Sequence, residues 1–462
     1  PPWTLGGAGP PPRGPKNQGP ETIHVNMDPA ESTEALKTGR GGAAAKSSRG
    51  NISFVGLSSI FAAGSGYAIF VLAARVLPVD QNADFLAFWG VLFGLFGVMT
   101  GLMHEATRAV KSASLKARPK ADRGARIIGS SVLIGAVVAL AVALSGTWWM
   151  PSLFKSSTPL LSVGLTLAVV LYAGHVGLAG TLGGRESWGS YAALTTAESG
   201  LRLAAVAAVA VFGFGLGGLE LAALSGTLVW LVFVFLTPQG RAALGQRADV
   251  GMGDYLRRCG YSMATAASSA VLITGFPALI KLMSDDAEFA RAAPLLLAVS
   301  LTRAPILIPL QAFQGLVMTK LMASGRPPHR NLLAPLGLIA VGGLGAGLLA
   351  ALIGPSIMLI FGPDYRLDGL WVGLLTVDAA LLAVVTLTGT AALSAGRHRV
   401  YLAGWFTATA VSVALLAVPA PLDLKVVCSL AAGPVAGSAV HIWGLWADRR
   451  RGNRSSAEEK GI

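Results

Sequence analysis

The stretch AVSLTRAPILIPLQAFQ, Ala298–Gln314, carries one arginine and two prolines in an otherwise apolar run. What holds the guanidinium of Arg303 there depends on the medium around it, and the rest of the chain identifies that medium. Of 462 residues, 53% are hydrophobic and only 13% are charged, with a mean hydropathy of +0.61. Such a chain is too apolar for a water-soluble globule. Runs of about 20 apolar residues recur along it, long enough for a helix to cross a hydrocarbon core of roughly 30 Å. They lack the alternation over about 10 residues that a membrane-barrel strand requires. The expected fold class is an all-α membrane protein.

Hydropathy predicts twelve transmembrane helices, at 54–77, 85–104, 127–149, 160–182, 190–212, 216–236, 260–283, 291–318, 332–361, 369–394, 400–418 and 424–446. The ninth is long enough to bend at Gly354 and Pro355. Counting Lys and Arg in alternate connections puts 28 on the side of both termini and six, Arg75, Lys155, Lys281, Arg291, Arg366 and Lys425, on the other. Positive charge favours the cytoplasmic side, so both termini are expected there. The same loop distribution accounts for the net charge of +13 without nucleic acid as a partner. The two remaining basic residues, Arg202 and Arg303, fall inside spans. Cys259 and Cys428 begin different spans at opposite faces and are not expected to pair.

Residues 1–50 are rich in Pro, Gly, Ser and charge and read as a disordered cytoplasmic tail. Met27 begins MDPAESTEALKTGR, and residues 1–26 are expected to be an upstream translation product outside the native protein. The first apolar run ends without a small-residue cleavage site and reads as a retained helix. The remaining expected divisions are an N-lobe at 51–237, a cytoplasmic linker at 238–258, a C-lobe at 259–446 and a cytoplasmic tail at 447–462. Two lobes are expected because signals recur at one offset. Thr107-Arg108 and Thr319-Lys320 are 212 apart, as are Gly184-Arg185 and Gly396-Arg397, while QNADF and DDAEF are 204 apart. Six spans per unit preserve orientation, so the lobes would form a parallel pseudo-twofold repeat about an axis along the membrane normal.

Four stretches resemble a known family. LAARVLPVDQNADF, residues 72–85, is similar to its small-residue, Ala-Arg, Leu, acidic, Phe pattern; GLMHEATRAV, residues 101–110, to its Gly-Leu with a following arginine. LIFGPDYR, residues 359–366, and ALSAGRHRVY, residues 392–401, complete the set. Across residues 51–446 the chain resembles the polysaccharide-export or O-antigen-type flippases of the multidrug/oligosaccharidyl-lipid/polysaccharide (MOP) superfamily. It departs from them in VLPVDQ, where the usual glycine after Leu-Pro is replaced, and in a low aromatic content. The resemblance implies a lipid-linked glycan whose pyrophosphate passes through a cationic central cavity.

Arg303 lies 12 residues from Arg291, about 18 Å along a helix and so near the midplane. A central arginine is costly unless it faces protein or water, and it often marks a substrate path. Its planar fork suits a phosphate, and its charge persists at any physiological pH. The alternative is local: Pro305 frees the carbonyl of Leu301 and Pro309 that of Pro305, and Arg303 would pair with freed carbonyls or with Asp378. Candidate substrate ligands are Arg303, Arg108, Arg75, Gln311 and Gln314; the last two are equally able to bond across helices, and Arg75 and Arg108 equally read as interfacial anchors. Glu198 and Arg202, four apart with the acid first, form a candidate intramembrane ion pair, and Asp378 is a candidate coupling group or a hydrogen-bonded acid. His175 and His441 read as packed residues.

No phosphate loop, metal-ligand pair or nucleophile elbow occurs, so neither an enzyme nor a metal or other cofactor is expected. The expected function is an alternating-access flippase for an undecaprenyl-linked oligosaccharide or polysaccharide precursor in the bacterial plasma membrane. Its partners would be membrane lipids and glycan polymerase or glycosyltransferases. Two alternatives stay open: a cation-coupled drug or metabolite antiporter of the same superfamily, and a transport-inactive scaffold for envelope assembly.

Overall fold

The computed structural model describes residues 40–115, 124–154, 159–303 and 328–458. The chain divides into Pro1–Asn51, whose described part is helical, and Ile52–Ile462, a helical bundle. Twelve helices are numbered in chain order: α1 Arg40–Val76, α2 Val79–Leu115, α3 Ile127–Leu153, α4 Pro159–Gly184, α5 Trp188–Phe212, α6 Gly215–Leu236, α7 Met252–Ile273, α8 Ala293–Arg303, α9 Pro328–Met358, α10 Gly369–Ser394, α11 His398–Leu416 and α12 Leu422–Glu458. Ten of them are long and apolar enough to cross a membrane. An eleventh crossing forms if α7 and the short helix Phe276–Leu282 are taken together, and α8 covers the described part of the eighth expected span. This is a multi-pass, all-α membrane protein.

The boundaries have local causes. Gly213, at φ 71°, takes the left-handed conformation that ends α5, a role suited to a residue without Cβ. Asp368 begins α10 by accepting from the amide of Leu370 at 2.8 Å. The segment between α6 and α7 holds the short helix Pro238–Leu244 and then pairs with the approach to α3: Ala248 donates to the carbonyl of Ala125 at 2.8 Å, and Ala125 to that of Val250 at 3.1 Å. The connection is thereby tied to the first six helices.

Packing repeats along the chain. α3 packs on α4 and α5 on α6, and six helices later α9 packs on α10 and α11 on α12. Between the two sets α2 runs along α7, and α1 meets α8 where the Tyr67 hydroxyl donates to the carbonyl of Leu301 at 3.3 Å. That is the carbonyl the sequence marks as orphaned by Pro305, and α1 supplies its donor. Glycine makes the α2–α7 approach close: a Cβ on Gly101 would sit 2.5 Å from backbone atoms of Met263.

The seventh span corrects the sequence reading. Residues 260–283 are expected as one continuous helix, but α7 ends at Ile273 and the short helix Phe276–Leu282 leaves it at 65°. Proline at 277 has no amide hydrogen to give to the carbonyl of Ile273, and the amides of Thr274 and Gly275 both turn back to Ala270. The carbonyls of Leu272 and Ile273 therefore end without helical donors.

Candidate functional site

Arg303 supplies those donors. Its Nη1 donates to the carbonyl of Leu272 at 2.8 Å and to that of Ile273 at 3.0 Å, and the guanidinium lies 5.2 Å from the centre of the Phe276 ring. The residue is 7% exposed. The break in α7 thus creates two acceptors in the membrane interior, and the buried cation on α8 caps them. Nη1 works locally, though on carbonyls of α7 and not on those freed by Pro305 and Pro309, and Nη2 is buried with no hydrogen-bond partner among the described residues. Asp378, on α10 and 4% exposed, lies in the electrostatic field of Arg303, and its Oδ2 is also unpartnered. A donor and an acceptor of opposite charge, both buried and both without a hydrogen-bond partner among the described residues, thus lie in each other's electrostatic field. A polar guest or water placed there would be bound by each.

The other candidates lie elsewhere. Glu198 and Arg202 form the expected pair on α5; Nε of Arg202 also donates to the carbonyl of Ala223 at 3.0 Å, and its guanidinium stands 5.0 Å from the centre of the Phe93 ring. This pair is internally complete and belongs to the first six helices. Arg75, at the end of α1, donates to the carbonyl of Ile360. Arg108, near the far end of α2, grips Glu105 at 2.6 Å and Asp249 at 2.9 Å. The rise from the start of α2 to Arg108 is about 44 Å, so Arg75 and Arg108 sit near opposite ends of the bundle and do not converge on Arg303. Gln311 and Gln314 lie outside the described residues. His441 is a packed residue, as expected, bonded to the Thr388 hydroxyl at 3.0 Å and the Tyr401 carbonyl at 3.1 Å. His175 is buried against the Tyr172 ring. Cys259 and Cys428 are both free.

Two features escape the sequence reading. The aromatic residues, though few, are gathered: Trp89 stacks on Phe93, and Phe96 on Tyr172 with ring centres 3.7 Å apart. Spacing within α2 signals the first pair. The second feature is a charged group at the α1–α2 end, built from Asp84, Glu220 and Lys281. Lys281 reads in sequence only as one more basic helix end.

The bundle of apolar helices, with its broken seventh span, has the fold of MOP-superfamily transporters. It is similar to an inward-facing multidrug resistance MATE transporter of that superfamily, with a TM-score of 0.65 at 15% identity, covering 84% of this chain and 95% of that one. A MOP superfamily transporter from Pyrococcus furiosus, for which a reversed polarity of the binding pocket is described, matches with a TM-score of 0.60 at 13% identity over 86% of this chain and 96% of that one. No family model matches the sequence. The chain belongs to the same family as the uncharacterized protein Rv1510 of Mycobacterium tuberculosis, with which it shares 38% identity over 404 residues, 86% of this chain and 92% of that protein.

Proposed function

We propose that this transporter is a flippase that moves an undecaprenyl-linked oligosaccharide or polysaccharide precursor across the bacterial plasma membrane by alternating access. The observation that carries the proposal is Arg303: a buried guanidinium that caps the break in α7 and has one nitrogen, Nη2, without a partner among the described residues. A pyrophosphate oxygen is the acceptor such a group prefers, and a charge-assisted bond there would be roughly twice as strong as a neutral one. The lipid tail would remain in the bilayer while the headgroup crosses. Both termini would be cytoplasmic, where glycosyltransferases deliver the substrate, with a glycan polymerase taking the product. Arg75 and Arg108 would act at the two ends of the path, after exchanging their present partners.

Asp378 favours a second reading. A buried carboxylate oxygen without a partner among the described residues is the group a cation-coupled antiporter needs, and the superfamily includes a multidrug resistance transporter. The readings separate in a cell that depends on this gene. Under the flippase reading, Arg303→Lys keeps the protein level but causes lipid-linked glycan to accumulate in the cytoplasmic leaflet, because the charge stays and the fork is lost. Normal glycan export with altered drug resistance in the same strain would favour the antiporter.

A further inference from the structure

At the end of the bundle where α1 turns into α2, polar as well as apolar groups join the first six helices to the rest. Arg75 donates through Nε at 3.0 Å and Nη2 at 2.6 Å to the carbonyl of Ile360, which follows α9. Asn82, in the first turn of α2, donates through Nδ2 to the Tyr365 hydroxyl at 2.7 Å, and both side chains are buried. Burial pushes the Tyr365 phenol up to about 12, so this hydroxyl stays neutral at ordinary pH. Asp84 accepts from the ammonium of Lys281, which is carried on the short helix Phe276–Leu282.

Lys281 is the more buried partner of its ion pair. Its side chain is 4% exposed, against 27% for Asp84, and its nitrogen stands 5.1 Å from the centre of the Phe289 ring. Glu220 on α6, buried, lies in the electrostatic field of both Asp84 and Lys281. A cation from beyond the α7 break is thus paired with Asp84 of the first six helices, in the electrostatic field of Glu220. Phe85 and Leu219 from one side and Phe276 and Phe289 from the other belong to one apolar cluster around it.

Exposed ion pairs hold little, but a buried ammonium loses its compensation when its carboxylate leaves. Separating the two sets of helices at this end requires that loss, together with the Asn82–Tyr365 bond. We infer that Lys281 is the bolt of a latch, with Asp84 as its receptacle and Asn82–Tyr365 as its second catch, which holds this end of the transporter shut. The latch rests on the fold and not on the cargo, so a different substrate leaves it standing.

The test uses full-length protein in lipid nanodiscs, with Cys259→Ala and Cys428→Ser as the parent background. Ala83, 0% exposed beside the latch, is changed to cysteine as a reporter and reacted with a charged, membrane-impermeant maleimide. Lys281→Met should raise the labelling rate about a hundredfold or more, the scale expected when one side of a buried pair is removed. The exchanged pair Asp84→Lys with Lys281→Asp should return it toward the parent rate, which a purely steric effect would not do. Tyr365→Phe, keeping the ring and losing one hydrogen bond, should give about a threefold rise. Parent-like labelling in folded Lys281→Met protein, or an exchanged pair that labels as fast as the single change, would overturn the latch. If Lys281→Met does not fold, parent-like labelling in Tyr365→Phe overturns it alone.

Discussion

Arg303 does structural work with one nitrogen and leaves another open, so its substitution affects stability and function separately. Arg303→Ala removes two charge-assisted bonds and exposes two buried carbonyls, a loss of about 2–4 kcal/mol that chemical unfolding in detergent would read. Arg303→Lys keeps one donor near those carbonyls and should lose less than half of that. Glu198 and Arg202 offer a contrast, because each completes the other. Glu198→Gln or Arg202→Met alone should cost about 3–5 kcal/mol, while the double change should cost only about 1–3 kcal/mol, that of the orphaned Ala223 carbonyl, a cycle measurable by the same unfolding. The burial of Arg303 was legible in its sequence: no other place suits a charge in such a run. Its partners were not, because the carbonyls it caps lie 30 and 31 residues earlier and become acceptors only through a break in another helix. The ion pair on α5 was legible because both members sit on one helix at a spacing that brings them together.

Helices were legible where composition alone defines them. The expected span 369–394 coincides with α10, Gly369–Ser394. α2 runs to 37 residues, well beyond the expected 85–104, because DQNAD at one end and ATRAVKSASL at the other are polar yet still helical. Hydropathy registers what a residue prefers around it, not whether its amide has a carbonyl to reach. For the same reason it missed the break after α7, although Gly275-Phe276-Pro277 carries the signal in a missing amide hydrogen. The α2–α7 seam makes its own prediction. Gly101→Ala would press a methyl group into the backbone of Met263 and should cost about 1–3 kcal/mol by overpacking, whereas Gly189→Ala, with open space around it, should be neutral or stabilising. Thermal unfolding of the two variants compares them directly.

For the molecule as a whole, the pairing of helices repeats along the chain, and the two sets touch along α2 and α7, at Tyr67 and Leu301, and through the polar contacts at the α1–α2 end. On the proposed alternating mechanism one end parts while a seam persists, and the inferred latch at Lys281 would oppose parting at its end. The sequence leads one to expect a repeat from paired signals at one offset, of which Thr319-Lys320 lies outside the described residues. The polar contacts joining the sets were not legible in it, since they link residues 197 and 283 positions apart. The central claim is that the open nitrogen of Arg303 receives the phosphate of a lipid-linked glycan during transport. Its most direct test is reconstitution of the purified protein in vesicles with a fluorescent polyprenyl-pyrophosphate oligosaccharide, following access of the headgroup to an external quencher. The account predicts protein-dependent flipping that falls at least about tenfold in folded Arg303→Lys, as loss of a bidentate phosphate contact requires. Undiminished flipping by that variant, or none by the parent, would contradict it.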